Sequence, residues 1–286
     1  EHAAAALMRL AVNADNQVSI ARAGGIKALV ALARTGTPEQ KEQAAGALGQ
    51  LARNADNQVS IARAGGIEAL VALVRSGTPI RMELVAYALW RLAANTDNKV
   101  SIARAGGIDP LVALVRAGTP EQKELAAAAL IRLAANPDNQ VSIAHAGGIE
   151  ALVALASSGT PKQKERAADA LVSLAMNADN DVCIARAGGI EALVAMAHSG
   201  TTEQKEHAAA ALLLLAANDD NRVPITRVGG IEVLVALVRA GTLKQKEYAA
   251  GALWHLALNT EHKVSIARAG GIEALVALVR LGTPEQ

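Results

Sequence analysis

The sequence predicts an all-α fold: an α-solenoid of about seven 41-residue repeats, three helices in each, running as a single array through residues 1–286 with a partial repeat at each end. Three observations carry that expectation. The dipeptide Gly-Gly begins at Gly24, Gly65, Gly106, Gly147, Gly188, Gly229 and Gly270, always 41 residues apart. A strict period of this length is the mark of a stacked array. Alanine supplies 65 of the 286 residues and phenylalanine none, which suits closely packed helices better than a core of bulky rings. Helix-start and helix-stop residues also recur at fixed places in each period, with helical rather than alternating apolar spacing between them.

The period from Thr37 to Gly77 shows each element in turn. Thr37-Pro38-Glu39-Gln40 reads as a helix start, with Thr at the N-cap, Pro at the first helical position and Gln three residues on. The same Thr-x-x-Gln recurs at Thr119, Thr160, Thr201 and Thr242, whereas Thr78 is followed by Arg81 in the Gln place. Ala44, Ala45, Leu48, Leu51 and Ala52 then form the apolar stripe of a long helix. Asp56-Asn57 is expected to cap a short helix running to Ala64. Gly65-Gly66 stops it, because glycine accepts positive φ at a helix C-terminus. A medium helix from Ile67 to Arg75 ends at Gly77. None of these helices can bury its apolar face alone, so the core must form by stacking one unit on the next.

Composition excludes several classes. A single cysteine, Cys183, rules out an intramolecular disulfide framework and a Cys-based zinc site, and places the expected location inside the cell, in cytoplasm or nucleus. The longest apolar run, from Ala208 to Ala217, is too short to cross a bilayer, and no basic-then-apolar leader is visible. Net charge of +1 offers no general field for nucleic acid or a membrane surface. The six histidines show no metal-ligand spacing; they are expected to be solvent-exposed, with His262 read as replacing a capping Asn. Cys183 stands in a serine column with no His partner evident. No enzyme, metal or cofactor is expected.

The string Asp56-Asn57-Gln58-Val59-Ser60-Ile61-Ala62-Arg63-Ala64-Gly65-Gly66-Ile67-Glu68-Ala69-Leu70-Val71 resembles the armadillo repeat, and Ala47-Leu48-Gly49-Gln50-Leu51-Ala52 is similar to the end of that repeat's long helix. The pattern looks closest to armadillo arrays of plant and protist proteins. The resemblance covers all seven copies. It implies a right-handed superhelix whose long helices line a concave groove, and a scaffold that binds proteins or extended peptides without chemistry of its own.

The copies differ on one face. His2, Gln43, Leu84, Leu125, Arg166, His207 and Tyr248 form one variable column of the long helix. Ala5, Gly46, Tyr87, Ala128, Asp169, Ala210 and Gly251 lie three residues on, and Arg9, Gln50, Arg91, Arg132, Ser173, Leu214 and His255 four further. Spacing of i, i+3, i+7 puts these on one helix face. Constant columns surround them: Asn13 to Asn259, Glu1 to Glu247, and the Arg22-to-Arg268 column, which His145 alone interrupts. Those are read as structural, the arginines complementing helix C-termini. Trp90 and Trp254 stand beside the variable face and read either as interface anchors or as fillers between repeats. The expected groove residues are therefore Gln50, Leu84, Tyr87, Trp90, Arg91, Arg132, Arg166, Asp169, Ser173, His207, Tyr248, Trp254 and His255. The third copy departs most, with Ile80, Arg81, Met82, Leu84, Val85, Tyr87 and Trp90 replacing polar or small residues of its siblings.

In armadillo importins and catenins a groove Asn holds the ligand backbone; the matching Arg9-to-His255 column contains no Asn. With Arg9, Arg91 and Arg132 there, a ligand of the N-terminal half is expected to be acidic, and nuclear-localisation signals are not expected partners. The alternative reading is a consensus-like or engineered array with no natural ligand, motivated by the near-identity of the copies.

The ends carry one more expectation. Glu1 aligns with Glu42 inside a long helix, and Gly282-Thr283-Pro284-Glu285-Gln286 stops just after a cap has begun. Either the chain is an excerpt of a longer array, or copies stack head to tail through the first long helix (residues 3–10) and the last medium helix (residues 272–279). Both predict concentration-dependent association that Leu275→Glu suppresses. Light scattering that reports a monomer from micromolar to millimolar, in both variants alike, would rule stacking out.

Overall fold

A computed structural model describes residues 2–76 and 81–280. The expectations that fall on Glu1, Gly77, Thr78, Ile80 and residues 282–286 lie outside the described residues. Every secondary-structure element among the described residues is an α-helix, and there are 21 of them. The chain divides into two compact units, Glu1–Gly147 and Gly148–Gln286.

The first unit contains the long helices α1 (His2–Leu10), α4 (Pro38–Leu51), α7 (Met82–Leu92) and α10 (Pro120–Leu133). Its short helices are α2 (Ala14–Arg22), α5 (Ala55–Arg63), α8 (Thr96–Arg104) and α11 (Pro137–His145), and its medium helices α3 (Gly25–Thr35), α6 (Gly66–Arg75) and α9 (Ile108–Ala117). The second unit contains the medium helices α12 (Gly148–Ser158), α15 (Gly189–Ser199), α18 (Gly230–Ala240) and α21 (Gly271–Arg280). Its long helices are α13 (Pro161–Ala175), α16 (Thr202–Ala217) and α19 (Leu243–Leu256), and its short helices α14 (Ala178–Arg186), α17 (Asp219–Arg227) and α20 (Thr260–Arg268).

Long helices pack in series, α1 on α4, α4 on α7 and α7 on α10 in the first unit, and α13 on α16 and α16 on α19 in the second. A helix with neighbours on both sides must be small along most of its length. In α4, Ala44, Ala45, Gly46, Ala47, Leu48, Gly49 and Leu51 are all buried. The alanines let backbones approach, and each leucine withdrawn from water contributes ~1.5–3 kcal/mol. The core contains no aromatic ring among its buried hydrophobic residues.

The expected Thr-Gln capping boxes form at Thr37, Thr119, Thr160, Thr201 and Thr242. The Gln side chain also reaches backwards: Gln204 Nε2 donates to Pro161 O at 2.7 Å and Gln245 Nε2 to Thr202 O at 2.8 Å. In the third copy Arg81 occupies the N-cap without a side-chain cap, and α7 is correspondingly short at 11 residues.

The turn between short and medium helices is glycine-specific. The first glycine of every pair has positive φ, +76° at Gly65. The second is held against the short helix: a β-carbon on Gly66 would lie 2.5 Å from Ile61 Cγ2. The carbonyl of the first glycine accepts from its own medium helix, Ala69 N to Gly65 O at 3.2 Å, and also from the neighbouring repeat, as in Arg34 Nη2 to Gly65 O at 3.0 Å and Arg239 Nη2 to Gly270 O at 2.9 Å.

Two expectations from the sequence are overturned by the structure. The short helix is capped not by Asp56-Asn57 but by Asn54, whose Oδ1 accepts from Asn57 N at 3.1 Å. The constant Asn13-to-Asn259 column supplies this cap in all seven copies. Asn57 is instead buried, and its Nδ2 donates both to Leu51 O at 3.2 Å and to Gln17 O of the preceding repeat at 3.1 Å. Asn98 and Asn139 repeat that bridge. His262 therefore replaces a bridging Asn rather than a capping one. It is 4% exposed, not solvent-exposed as the sequence suggested, and its Nδ1 has no partner among the described residues.

The next residue along follows the same logic. Gln17, Gln58 and Gln140 each donate to the carbonyl that ends the preceding long helix, Ala11 O, Ala52 O and Ala134 O. Arg222 does so to Ala216 O. Asp181 stands in this donor column, buried, with Oδ1 unpartnered among the described residues, and burial pushes its carboxyl up to about 6. A carboxyl raised above its unfolded value stabilises the fold at low pH and loses that contribution as pH rises through the folded value. Stability should thus fall between about pH 4 and pH 7 through this group. Asp181→Gln should remove that dependence and gain about 1 kcal/mol at neutral pH. Urea melts of both proteins across that pH range check it.

Candidate functional site

The variable face of the first unit's long helices carries a compact cluster. Tyr87 and Trp90 are one helical turn apart on α7, with ring centroids at 5.7 Å and planes tilted by 53°. The Arg91 guanidinium lies 5.1 Å from the Trp90 ring centre and 5.8 Å from that of Tyr87. From α10, Arg132 stacks on Trp90 at 4.4 Å and donates from Nη1 to Trp90 O at 2.8 Å. Each such cation–π pair is worth ~0.5–2 kcal/mol, more as water is excluded. Glycine makes the room: a β-carbon on Gly49 of α4 would meet the Tyr87 ring at 2.8 Å, and one on Gly46 would meet Met8 and, at 3.5 Å, Leu84. The small residues of the second copy thus accommodate the large ones of the third.

All four side chains of this cluster are half-buried, as are Leu84 and Gln50. Arg91 Nε has no hydrogen-bond partner among the described residues. Two rings and two guanidinium groups therefore converge on neighbouring long helices. The expected Gln50 stands on α4, one repeat away from the rings.

Around the cluster the acidic column links repeats. Glu42 Oε2 accepts from Arg81 N at 3.2 Å, and Glu83 Oε2 from Gln122 Nε2 at 3.3 Å. Burial raises the Glu83 carboxyl, but hydrogen bonds from Arg81 and Gln122 outweigh it and hold the group below its ordinary range.

The second unit carries different chemistry on the variable face of its own long helices. Asp169 on α13 and His207 on α16 approach to 3.9 Å. Arg166 on α13 is half-buried with Nε unpartnered among the described residues. Ser173 spends its hydroxyl on its own helix, donating to Asp169 O at 3.2 Å. Tyr248 on α19 is half-buried, whereas Trp254 is 65% exposed and so does not fill a gap between repeats. Its ring lies against His255 at 4.5 Å. Sequence reading missed one neighbour: Arg222 of α17, in a column that carries glutamine in three other copies. Burial, and then the Arg222 charge, hold the His255 imidazole below its ordinary value.

Among the described residues no group of three His, Cys, Asp or Glu side chains is placed to hold a metal ion. Among the described residues, too, no single helix is long and apolar enough to cross a membrane.

The comparisons with known proteins agree with this architecture. The armadillo/beta-catenin-like repeat model matches residues 13–53, which is one period of the chain. A crystal structure of an engineered protein is 34% identical, aligns over 99% of this chain and 70% of that one, and superposes with a TM-score of 0.91. A designed armadillo repeat protein aligns over 81% of this chain and 99% of its own at 23% identity and a TM-score of 0.76. Another, solved in complex with the peptide (KR)4, is 20% identical over 81% of this chain and 99% of its own, with a TM-score of 0.74. Among curated proteins none matches. The matched period shares its Asn cap, Gly-Gly turn and three-helix build with the other copies, and the chain belongs to the armadillo repeat family.

The geometry at α19 gives a direct check. His255 should titrate below an ordinary histidine, and Arg222→Gln, which restores the residue of sibling copies, should move it upward. Imidazole proton shifts followed by NMR would show this; an unmoved titration would leave burial as the sole cause.

Proposed function

We propose that the chain is a non-catalytic scaffold that binds protein or extended peptide along the exposed face of its long helices, with an acidic segment of the ligand against α7 and α10. The observation that carries this reading is the Tyr87–Trp90–Arg91–Arg132 cluster, in which both aromatic rings and both cations converge at half-buried positions of the variable face. Aromatic and arginine side chains of this kind are typical anchors of interfaces. The second unit, with Arg166, Asp169, His207, Tyr248, Trp254 and His255 on that face, would take a segment of mixed character. A solved relative of the same fold holds the basic peptide (KR)4; the two arginines here favour the opposite charge.

A second reading is favoured by the likeness to an engineered protein over 99% of the chain: a consensus-like array with no natural ligand. Titration separates the two. In a Trp254→Phe background Trp90 is the remaining indole, and its fluorescence reports the cluster. A glutamate-rich octapeptide should change that emission saturably, and (KR)4 should not. Tyr87→Ala with Arg91→Ala should weaken acidic-peptide binding by ~2 kcal/mol, about thirtyfold, with helicity unchanged. Equal, non-saturating responses to both peptides would favour the array without a ligand.

A further inference from the structure

A second surface, on the short and medium helices rather than the long ones, carries chemistry that the peptide-binding reading does not use. Arg22, at the end of α2, Lys27, in the first turn of α3, and Arg63, at the end of α5, line one cavity of about 450 Å³. Its remaining wall is largely apolar, from Ala21, Ile26 and Ala64. That volume lies within the ~300–1,000 Å³ of small-ligand sites. Among the described residues none of the three cations is within ion-pair distance of a carboxylate.

Arg22 and Arg63 need no special explanation. They belong to the column of cations that ends the short helices, where the negative end of the helix dipole favours them. Lys27 is different. Its six counterparts are Glu68, Asp109, Glu150, Glu191, Glu232 and Glu273, all acidic. Each sits in the first turn of its medium helix, where the dipole favours a negative charge; α3 alone has no acid there. Lys27 thus opposes the dipole of its own helix and faces two like charges across a shared cavity. In the other copies this position carries an acid. Here it adds a third cation.

We propose that this cavity binds a phosphate-class dianion carried on a small apolar body. Three cations over-compensate a single carboxylate and match a doubly charged oxyanion. Ile26 and the alanines provide the wall for the group that bears it. All three cations are solvent-exposed, so binding is ionic-strength dependent.

The test uses the full chain and three probes: inorganic phosphate, phenyl phosphate and acetate, followed by calorimetry and by amide shifts around Ile26. Phenyl phosphate should bind most tightly, inorganic phosphate less so, and acetate at least tenfold more weakly than phenyl phosphate. Lys27→Glu restores the sibling residue, which five other copies fold with, and should lower phenyl phosphate affinity at least tenfold. Adding Glu68→Lys to that variant should return the affinity and move the shifts to Ile67, between Arg63 and Arg104. Unchanged affinity in Lys27→Glu, acetate binding as tightly as phenyl phosphate, or no saturation by about 10 mM phenyl phosphate would overturn the proposal.

Discussion

Stacking three-helix units requires that the carbonyls ending each long helix be buried under the short helix that follows, and those carbonyls must find donors. This single demand organises the repeat. Asn57, Asn98 and Asn139 answer it by donating at once to the end of their own long helix and to the preceding repeat. The neighbouring glutamine column answers it for the next carbonyl. A buried polar group left unpaired costs about 1–3 kcal/mol; the glutamine bonds stay within one repeat, whereas those of Asn57, Asn98 and Asn139 to the preceding repeat help set how far one repeat slides on the next. Apolar packing between alanine-rich helices is too smooth to fix that register alone.

Seen from that demand, the glycine pair and the capping box are devices of the same kind. Positive φ at the first glycine turns the chain in little space and presents a carbonyl outward, where an arginine of the preceding repeat accepts the task of pairing it. The capping-box glutamine satisfies its own helix start with one atom and the adjacent repeat with the other. Local caps thereby become contacts between repeats. Stability in such an array is a sum of unit and neighbour terms, and polar side chains contribute to the neighbour term as directly as leucine does.

The copies break these columns in two ways. Some breaks leave a cost with no evident return: Asp181 puts an acceptor where a donor is needed, and His262 exchanges a two-way bridge for an unpartnered nitrogen. Others build something. In the third copy the loss of the capping glutamine accompanies Leu84 and Tyr87 seated over Gly46 and Gly49 of the second, with Arg132 of the fourth stacked on Trp90. Lys27 converts a balanced corner into a cationic one. The distinction lies in what surrounds each substitution, which a column of letters does not show.

The sequence by itself determined the period, the three helices of each copy, the Thr-Gln capping boxes, the glycine turns and the variable face, because all of these depend on residues close together in the chain. It also placed Leu84, Tyr87 and Arg91 on that face, since i, i+3 and i+7 spacing is a property of one helix, and Trp90 beside it. It misassigned Asn57 and His262, because a cap and a bridge draw on the same residue types, and only the position of the preceding repeat tells them apart. Arg132 could be put on the face from sequence but not onto the Trp90 ring, and Arg222 could not be put near His255 at all. Those pairings join residues on different helices, and the distance between helices is set by packing, which only the tertiary structure decides.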